Sequence, residues 1–232
     1  MNSCRSFKKV THVIFDMDGV ILDTETLYTK ATQNILTEFG KTYSWAVKAQ
    51  LMGLHSMESA KKLVEIYNLP ITPEEYYSLA QKQYLELMPS CDLMPGACNL
   101  IKHLKLNGIP IAVGTSSSKE SYELKTKHHK DLFCLFNHVV TGGSDPEVKK
   151  GKPNPDIFLV CASRFPDKPS PEKCLVFEDA PNGVKAALSA GMQAIMIPDE
   201  NVPPELTKEA HVVIKCLDDA PLEKFGLPSL KK

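Results

Sequence analysis

Asp16 and Asp18 stand one residue apart where an apolar, β-branched run, Val13-Ile14-Phe15, gives way to Gly19. Residues i and i+2 leaving a strand project to the same side, so this spacing aims two carboxylates at one small target. Gly19 lets the chain turn sharply directly after them. One carboxylate of such a pair can attack phosphorus and form an aspartyl-phosphate. The other, as a carboxylic acid, can protonate a leaving alcohol and then deprotonate the water that opens the intermediate. Asp-x-Asp alone is a weak signal, because it also occurs in sugar-nucleotide transferases, metal loops and plain turns. A calcium loop is excluded here, since the glycine comes too early for that pattern and a strand precedes it.

Three other stretches supply what such a pair would need. Glu178-Asp179 follows the apolar run Cys174–Phe177. Several carboxylates around one point repel each other unless a cation intervenes. A hard divalent ion with oxygen ligands, Mg²⁺ first among them, resolves this and offsets the charge of an approaching phosphate. The same two acids also serve as a cap for the helix that starts near Asn182, and the two uses are compatible. Thr115-Ser116-Ser117 lies between a strand and a helix, where hydroxyls and main-chain N–H groups favour phosphoryl oxygens; an ordinary helix cap reads the same way. Gly151-Lys152-Pro153 holds a lysine in a turn, suited to stabilising transferred charge. A lone loop lysine is usually solvated, so Lys152 gains weight from its company, while Lys149 and Lys150 beside it read as surface charges.

The elements that must position these residues follow from the hydrophobic pattern. Strands are expected at Val10–Asp16, Ile109–Thr115, His138–Thr141, Cys174–Phe177, Ala194–Ile197 and Val212–Ile214. Helices alternate with them at Ala97–Asn107, Lys119–His129, Pro155–Arg164 and Asn182–Ala190. Between the first and second strands the pattern is helical throughout: Leu27, Ala31, Ile35 and Phe39 at helical spacing with Thr24 as cap, then Ser44–Leu51, Ser56–Tyr67 and Pro73–Met88 with Thr72 as cap. The expected fold is therefore α/β: a Rossmann-like, doubly wound parallel sheet (residues 1–23 and 93–232) with an inserted all-helical cap domain (24–92). In such sheets ligands bind beyond the carboxyl ends of the strands, where Asp16/Asp18, Thr115/Ser116 and Glu178/Asp179 all fall. The cap would lie above that edge like a lid.

Composition narrows the class. The chain has 232 residues, 43% apolar and 24% charged, with a net charge of −1. A general nucleic-acid binder needs a basic face that this balance does not supply. The stretch Met1–Lys9 is polar and no apolar run reaches the ~20 residues of a membrane span, so neither a secretory signal nor a membrane anchor is expected. Seven cysteines, none at Cys-x-x-Cys spacing, read as reduced thiols of a cytoplasmic protein. A monomer is expected, with a small-molecule phosphate monoester as its only partner.

Taken in order, Asp16-Met17-Asp18-Gly19-Val20, Thr115, Lys152 in Gly-Lys-Pro-x-Pro-Asp, and Glu178-Asp179 resemble the motifs of the haloacid dehalogenase-like hydrolase superfamily over roughly residues 10–200. The resemblance implies Asp16 as nucleophile and Asp18 as general acid and base. It implies Thr115, Ser116 and Lys152 around the phosphoryl group. It further implies Mg²⁺ held by Asp16, the Asp18 carbonyl and Asp179, with Glu178 assisting. Further runs, among them Leu93-Met94-Pro95-Gly96 and Phe225-Gly226-Leu227-Pro228-Ser229, are similar to a branch that acts on a nucleotide-like phosphate. In the cap, Gly53 and His55 fall in what resembles the family's specificity loop, and Glu25 or His55 could reach a substrate; solvent-facing or local packing roles fit them equally. Related sugar phosphomutases carry a histidine about where this chain has Tyr28 and an arginine about where it has Ser56. Their absence favours hydrolysis over phosphoryl return to a sugar. The remaining alternatives are a phosphatase of another sugar or polyol phosphate, a phosphomutase, and a non-catalytic phosphate-binding protein, which would have no need of Asp18.

Overall fold

The computed structural model describes residues 7–51 and 56–230. Within these, the chain divides into two compact units. One runs to Asp23 and resumes at Asp92; the other is Thr24–Cys91.

The first unit is built on six strands: β1 (His12–Phe15), β2 (Ile111–Thr115), β3 (His138–Thr141), β4 (Cys174–Glu178), β5 (Gln193–Met196) and β6 (Val212–Val213). They pair in the order β3-β2-β1-β4-β5-β6, every pair parallel. The strand order reverses at β1, so its carboxyl end, between those of β2 and β4, marks the position where such sheets bind ligands. Every residue of β1, β2, β4 and β5 is buried, which is what a sheet covered on both faces requires. Register explains the division between the faces. Ile14 pairs with Ala112 and Val176, and Val176 with Ala194; these four join Phe158, Cys161, Val184 and Ala187 in one apolar cluster. Those partners come from α8 (Asp156–Arg164) and α9 (Pro181–Ser189). The alternate residues Val13, Phe15, Leu175 and Phe177 face the other way, where Phe15 and Phe177 stack at 4.9 Å. The remaining helices of this unit are α5 (Ala97–Leu106), α6 (Lys119–Lys125), α7 (Lys130–Phe133) and α10 (Pro204–Thr207).

The second unit holds α1 (Thr24–Glu38), α2 (Trp45–Leu51), α3 (Ser56–Tyr67) and α4 (Pro73–Leu87). Ile35, Leu36, Ala60, Leu63, Tyr76 and Ala80 form its apolar centre. Thr72 caps α4 with Pro73 in its first turn, as the sequence implies, and Glu75 completes a reciprocal capping box.

Two local expectations need correction. Thr24 is the first helical residue of α1 rather than its cap, so the cap position falls on Asp23. The Thr24 hydroxyl is buried and has no hydrogen-bond partner among the described residues. The single helix expected over Lys119–His129 stops at Lys125, where the Thr126 hydroxyl returns to the Tyr122 carbonyl at 2.8 Å; α7 then starts separately.

Candidate functional site

β1 ends at Phe15, and the Asp16 N–H then bonds to the Phe177 carbonyl at 2.9 Å, holding the ends of β1 and β4 side by side. That pairing sets Asp16 next to Glu178. Between their carboxylates lies the Lys152 ammonium, 2.5 Å from Asp16 Oδ1 and 2.6 Å from Glu178 Oε1. It also donates to the Gly114 carbonyl at 3.3 Å and lies 5.0 Å from the centre of the Phe158 ring. Lys152 is thus a largely enclosed cation at the carboxyl ends of the strands, not a solvated loop charge. Burial alone would make its ammonium easier to deprotonate, but the Asp16 and Glu178 charges outweigh that and push its pKa up.

Asp16 shows the converse. Burial, with repulsion from Glu178 and Asp18, pushes its carboxyl up to about 7 against the pull of Lys152. One cation is shared by two carboxylates, and the pocket keeps an excess of negative charge.

Glu178 has both oxygens engaged. Oε1 takes Lys152, and Oε2 accepts the N–H groups of Asp179 and Ala180 at 3.0 Å each. It closes the turn into α9 and holds Lys152. Asp179 differs. Gly19, at φ +75°, carries no side chain, and the Asp179 carboxylate occupies the space where its Cβ would be. A carboxylate brought this close to the turn after Asp18, beside a charge excess at Asp16, suits a hard cation. Among the described residues no three His, Cys, Asp or Glu side chains form a ready ligand cluster. A cation here would therefore use main-chain, phosphate and water oxygens besides Asp16 and Asp179, the usual habit of Mg²⁺.

Asp18 is held from the β2 side. Asp18 Oδ2 accepts the Ser117 hydroxyl at 3.0 Å and the Thr115 hydroxyl at 3.4 Å. Thr115 in turn accepts the Ser117 N–H at 3.1 Å, so the turn after β2 is tied into one network. Ser116 is exposed and Thr115 fully buried. Asp18 Oδ1 accepts the Lys125 ammonium at 2.7 Å, and Lys125 also donates to Ser117 Oγ at 3.0 Å. Lys125 was not singled out from sequence. It is one of four lysines between positions 119 and 130, and nothing in that polar stretch distinguishes it. Only the fold shows that it is 2% exposed.

Glu25, in the first turn of α1, is half-exposed and pairs with Lys48 at 3.1 Å within its own unit. Gly53 and His55 lie outside the described residues. No helix among the described residues is long and apolar enough to cross a membrane.

Comparison with known proteins gives a consistent result. A family model described as haloacid dehalogenase-like hydrolase matches residues 10–191. A Drosophila melanogaster protein named probable pseudouridine-5′-phosphatase is 52% identical over 222 residues, covering 96% of each chain. An Arabidopsis thaliana protein named (DL)-glycerol-3-phosphatase 2 is 45% identical over 94% of this chain and 92% of its own. A crystal structure of a HAD family hydrolase from Deinococcus radiodurans superposes with a TM-score of 0.78 over 94% of this chain and 96% of that one, at 22% identity, a likeness of fold.

Proposed function

Because the chain belongs to the haloacid dehalogenase-like hydrolases and is a phosphoric monoester hydrolase, we propose that Asp16 and Asp18 divide the cleavage of a small phosphate ester between them. An Asp16 oxygen attacks phosphorus as the ester P–O bond breaks, and Asp18 gives its proton to the departing oxygen. Asp18 then takes a proton from water, whose oxygen attacks the aspartyl-phosphate. Inorganic phosphate leaves and Asp16 is regenerated. The observation that carries this reading is the Asp16–Lys152–Glu178 group: a buried carboxylate at a strand end, paired with a cation that Glu178 fixes in place. Lys152 neutralises charge on the nucleophile and the transferring group. Thr115 and Ser116 complete the phosphate cradle from the end of β2.

Asp16, the Asp18 carbonyl and Asp179 would hold Mg²⁺, with Glu178 assisting. Bound there, the ion offsets the phosphate's charge and favours ionised Asp16. Glu25, Gly53 and His55 are the residues of the helical unit that this reading assigns to recognition of the leaving group.

The substrate we favour is pseudouridine 5′-phosphate, cleaved to pseudouridine and phosphate, supported by the 52% identity with the Drosophila protein. Glycerol 3-phosphate is the second reading, favoured by 45% identity with the Arabidopsis protein. A phosphate-release panel decides between them: pseudouridine 5′-phosphate, uridine 5′-phosphate, glycerol 3-phosphate and hexose phosphates, each with Mg²⁺ or EDTA. The expected result is highest kcat/KM on pseudouridine 5′-phosphate and loss of turnover in EDTA. Preference for glycerol 3-phosphate would overturn the substrate, and undiminished rates in EDTA would overturn the metal.

A further inference from the structure

Lys125 is a buried cation of the core that the mechanism above leaves unused. It lies in the last turn of α6, 2% exposed, with its ammonium on Asp18 Oδ1 at 2.7 Å and on Ser117 Oγ at 3.0 Å. Ser117 passes the connection on, donating its hydroxyl to Asp18 Oδ2 at 3.0 Å. The three side chains close a ring: Lys125 to one carboxylate oxygen, Ser117 to the other, and Lys125 to Ser117. A carboxylate gripped at both oxygens from two elements cannot rotate about its terminal torsion without breaking one of these bonds.

A buried lysine is costly to keep. Burying an ammonium carries a desolvation cost that a well-packed apolar residue of similar size avoids, so a buried ion pair is poor evidence for stability as its purpose. The partner chosen here is the acid–base carboxylate itself. Lys152, which faces Asp16 and Glu178, has a separate task at the nucleophile. We propose that Lys125 is a positioning residue for Asp18: with Ser117 it fixes the orientation of the carboxylate that exchanges protons with the leaving oxygen and with water. The proposal rests on the acid–base role assigned to Asp18 and goes beyond it by naming what aims that group. A proton donor must sit within hydrogen-bond reach of the atom it serves, and a misplacement of 1 Å can cost on the order of 10²-fold in rate.

The test uses leaving-group dependence, which a merely structural lysine would not move. Phenyl phosphate and p-nitrophenyl phosphate share the phosphoryl group and differ in how much the departing oxygen needs a proton. In Lys125→Met, kcat/KM for phenyl phosphate is expected to fall ~10- to 100-fold and for p-nitrophenyl phosphate less than ~3-fold. Competitive inhibition by inorganic phosphate should be unchanged. Equal losses on both esters, or weakened phosphate inhibition, would overturn the proposal and make Lys125 a folding or phosphate-binding residue. Asp18→Asn serves as the reference. If it shows no leaving-group selectivity, the acid–base reading falls and this proposal with it; if it does and Lys125→Met does not, only the positioning role falls. Should Lys125→Met fail to fold, Ser117→Ala decides, because it breaks the same ring at a partly exposed hydroxyl. The same selectivity in smaller degree supports the proposal, and uniform loss overturns it.

Discussion

Gly183, in the first turn of α9, lies so close to Glu178 that a methyl group on it would overlap the Glu178 carboxyl. The Glu178 side chain cannot simply swing away, because its oxygens are bonded to Lys152 and to two N–H groups of the turn into α9. The absence of one side chain on the helix is what lets a carboxylate face the Lys152 ammonium.

Gly183→Ala is therefore expected to lower activity more than it lowers stability. Alanine improves helix propensity by about 1 kcal/mol, while displacing a bonded buried carboxylate costs about 1–3 kcal/mol. The net change in melting temperature should be a few degrees at most. Phosphate release, in contrast, should fall at least ~10-fold, because Lys152 loses the partner that fixes it. Thermal melting and turnover of the same preparation check this. Wild-type turnover would mean that the position of Glu178 does not matter to Lys152.

Asp16→Asn should be inactive and more stable. The folded protein raises the Asp16 carboxyl to about 7, chiefly through burial. The unfolded chain binds fewer protons than the native one between the unfolded and folded values. Stability from this group is thus full below about pH 4 and is lost as pH rises toward 7. Asparagine keeps the shape without the charge, leaving Lys152 paired with Glu178 alone. In EDTA at pH 8 the variant should gain about 1–3 kcal/mol over wild type, with little difference at pH 4. A variant less stable at pH 8 would show that Lys152 stabilises Asp16 more than its neighbours destabilise it.

Much of the sheet was legible from sequence because its strands are short, β-branched and bounded by glycine or by the chemical residues themselves. Parallel strands buried on both faces read as unbroken apolar runs, and Val13–Phe15, Ile111–Val113 and Leu175–Phe177 do so. Lys125 was illegible for the complementary reason. A helix of seven residues carries too little periodicity to reveal which lysine turns inward, and α6 is that short. Thr24 misled through its type: threonine before an apolar stripe suggests a cap, yet Asp23 precedes it and is equally good at that position. The bonds that Glu178 makes were illegible too, because sequence shows the carboxylate but not the two N–H groups and the lysine that the fold brings to it.

Gly19→Ala tests the cation site without replacing a carboxylate. The residue has φ +75°, where an L side chain is strained, and the added methyl would collide with the Asp179 carboxylate. Strain alone costs about 1–2 kcal/mol, tolerable for a domain of this size. Displacing Asp179 should raise the Mg²⁺ concentration needed for half-maximal phosphate release by ~10-fold or more. The lost turnover should return, at least in part, at high Mg²⁺. An unchanged Mg²⁺ requirement would remove Asp179 from the ligand set.

His138 should govern stability in mildly acidic solution. Its Nε2 donates to the Cys161 carbonyl at 2.9 Å and its ring packs edge-on against Phe165. Burial, with the nearby Arg164 charge, holds its pKa below the ordinary histidine value. The unfolded chain takes up this proton first, so stability is full above about pH 6.5 and is lost as pH falls through the folded value. Asp145 acts in a lower window. The Arg164 guanidinium grips both its oxygens, at 2.6 and 2.9 Å, and holds its carboxyl below the usual range, so its contribution is lost only below about pH 4. Asp16 has the opposite sign between about pH 4 and 7 and would mask the histidine. The comparison therefore belongs in the Asp16→Asn background. There, His138→Gln should flatten the loss of melting temperature between pH 6.5 and 5 and leave the steeper loss below pH 4 intact. A slope that survives the substitution would assign the mild-acid transition to a group other than His138.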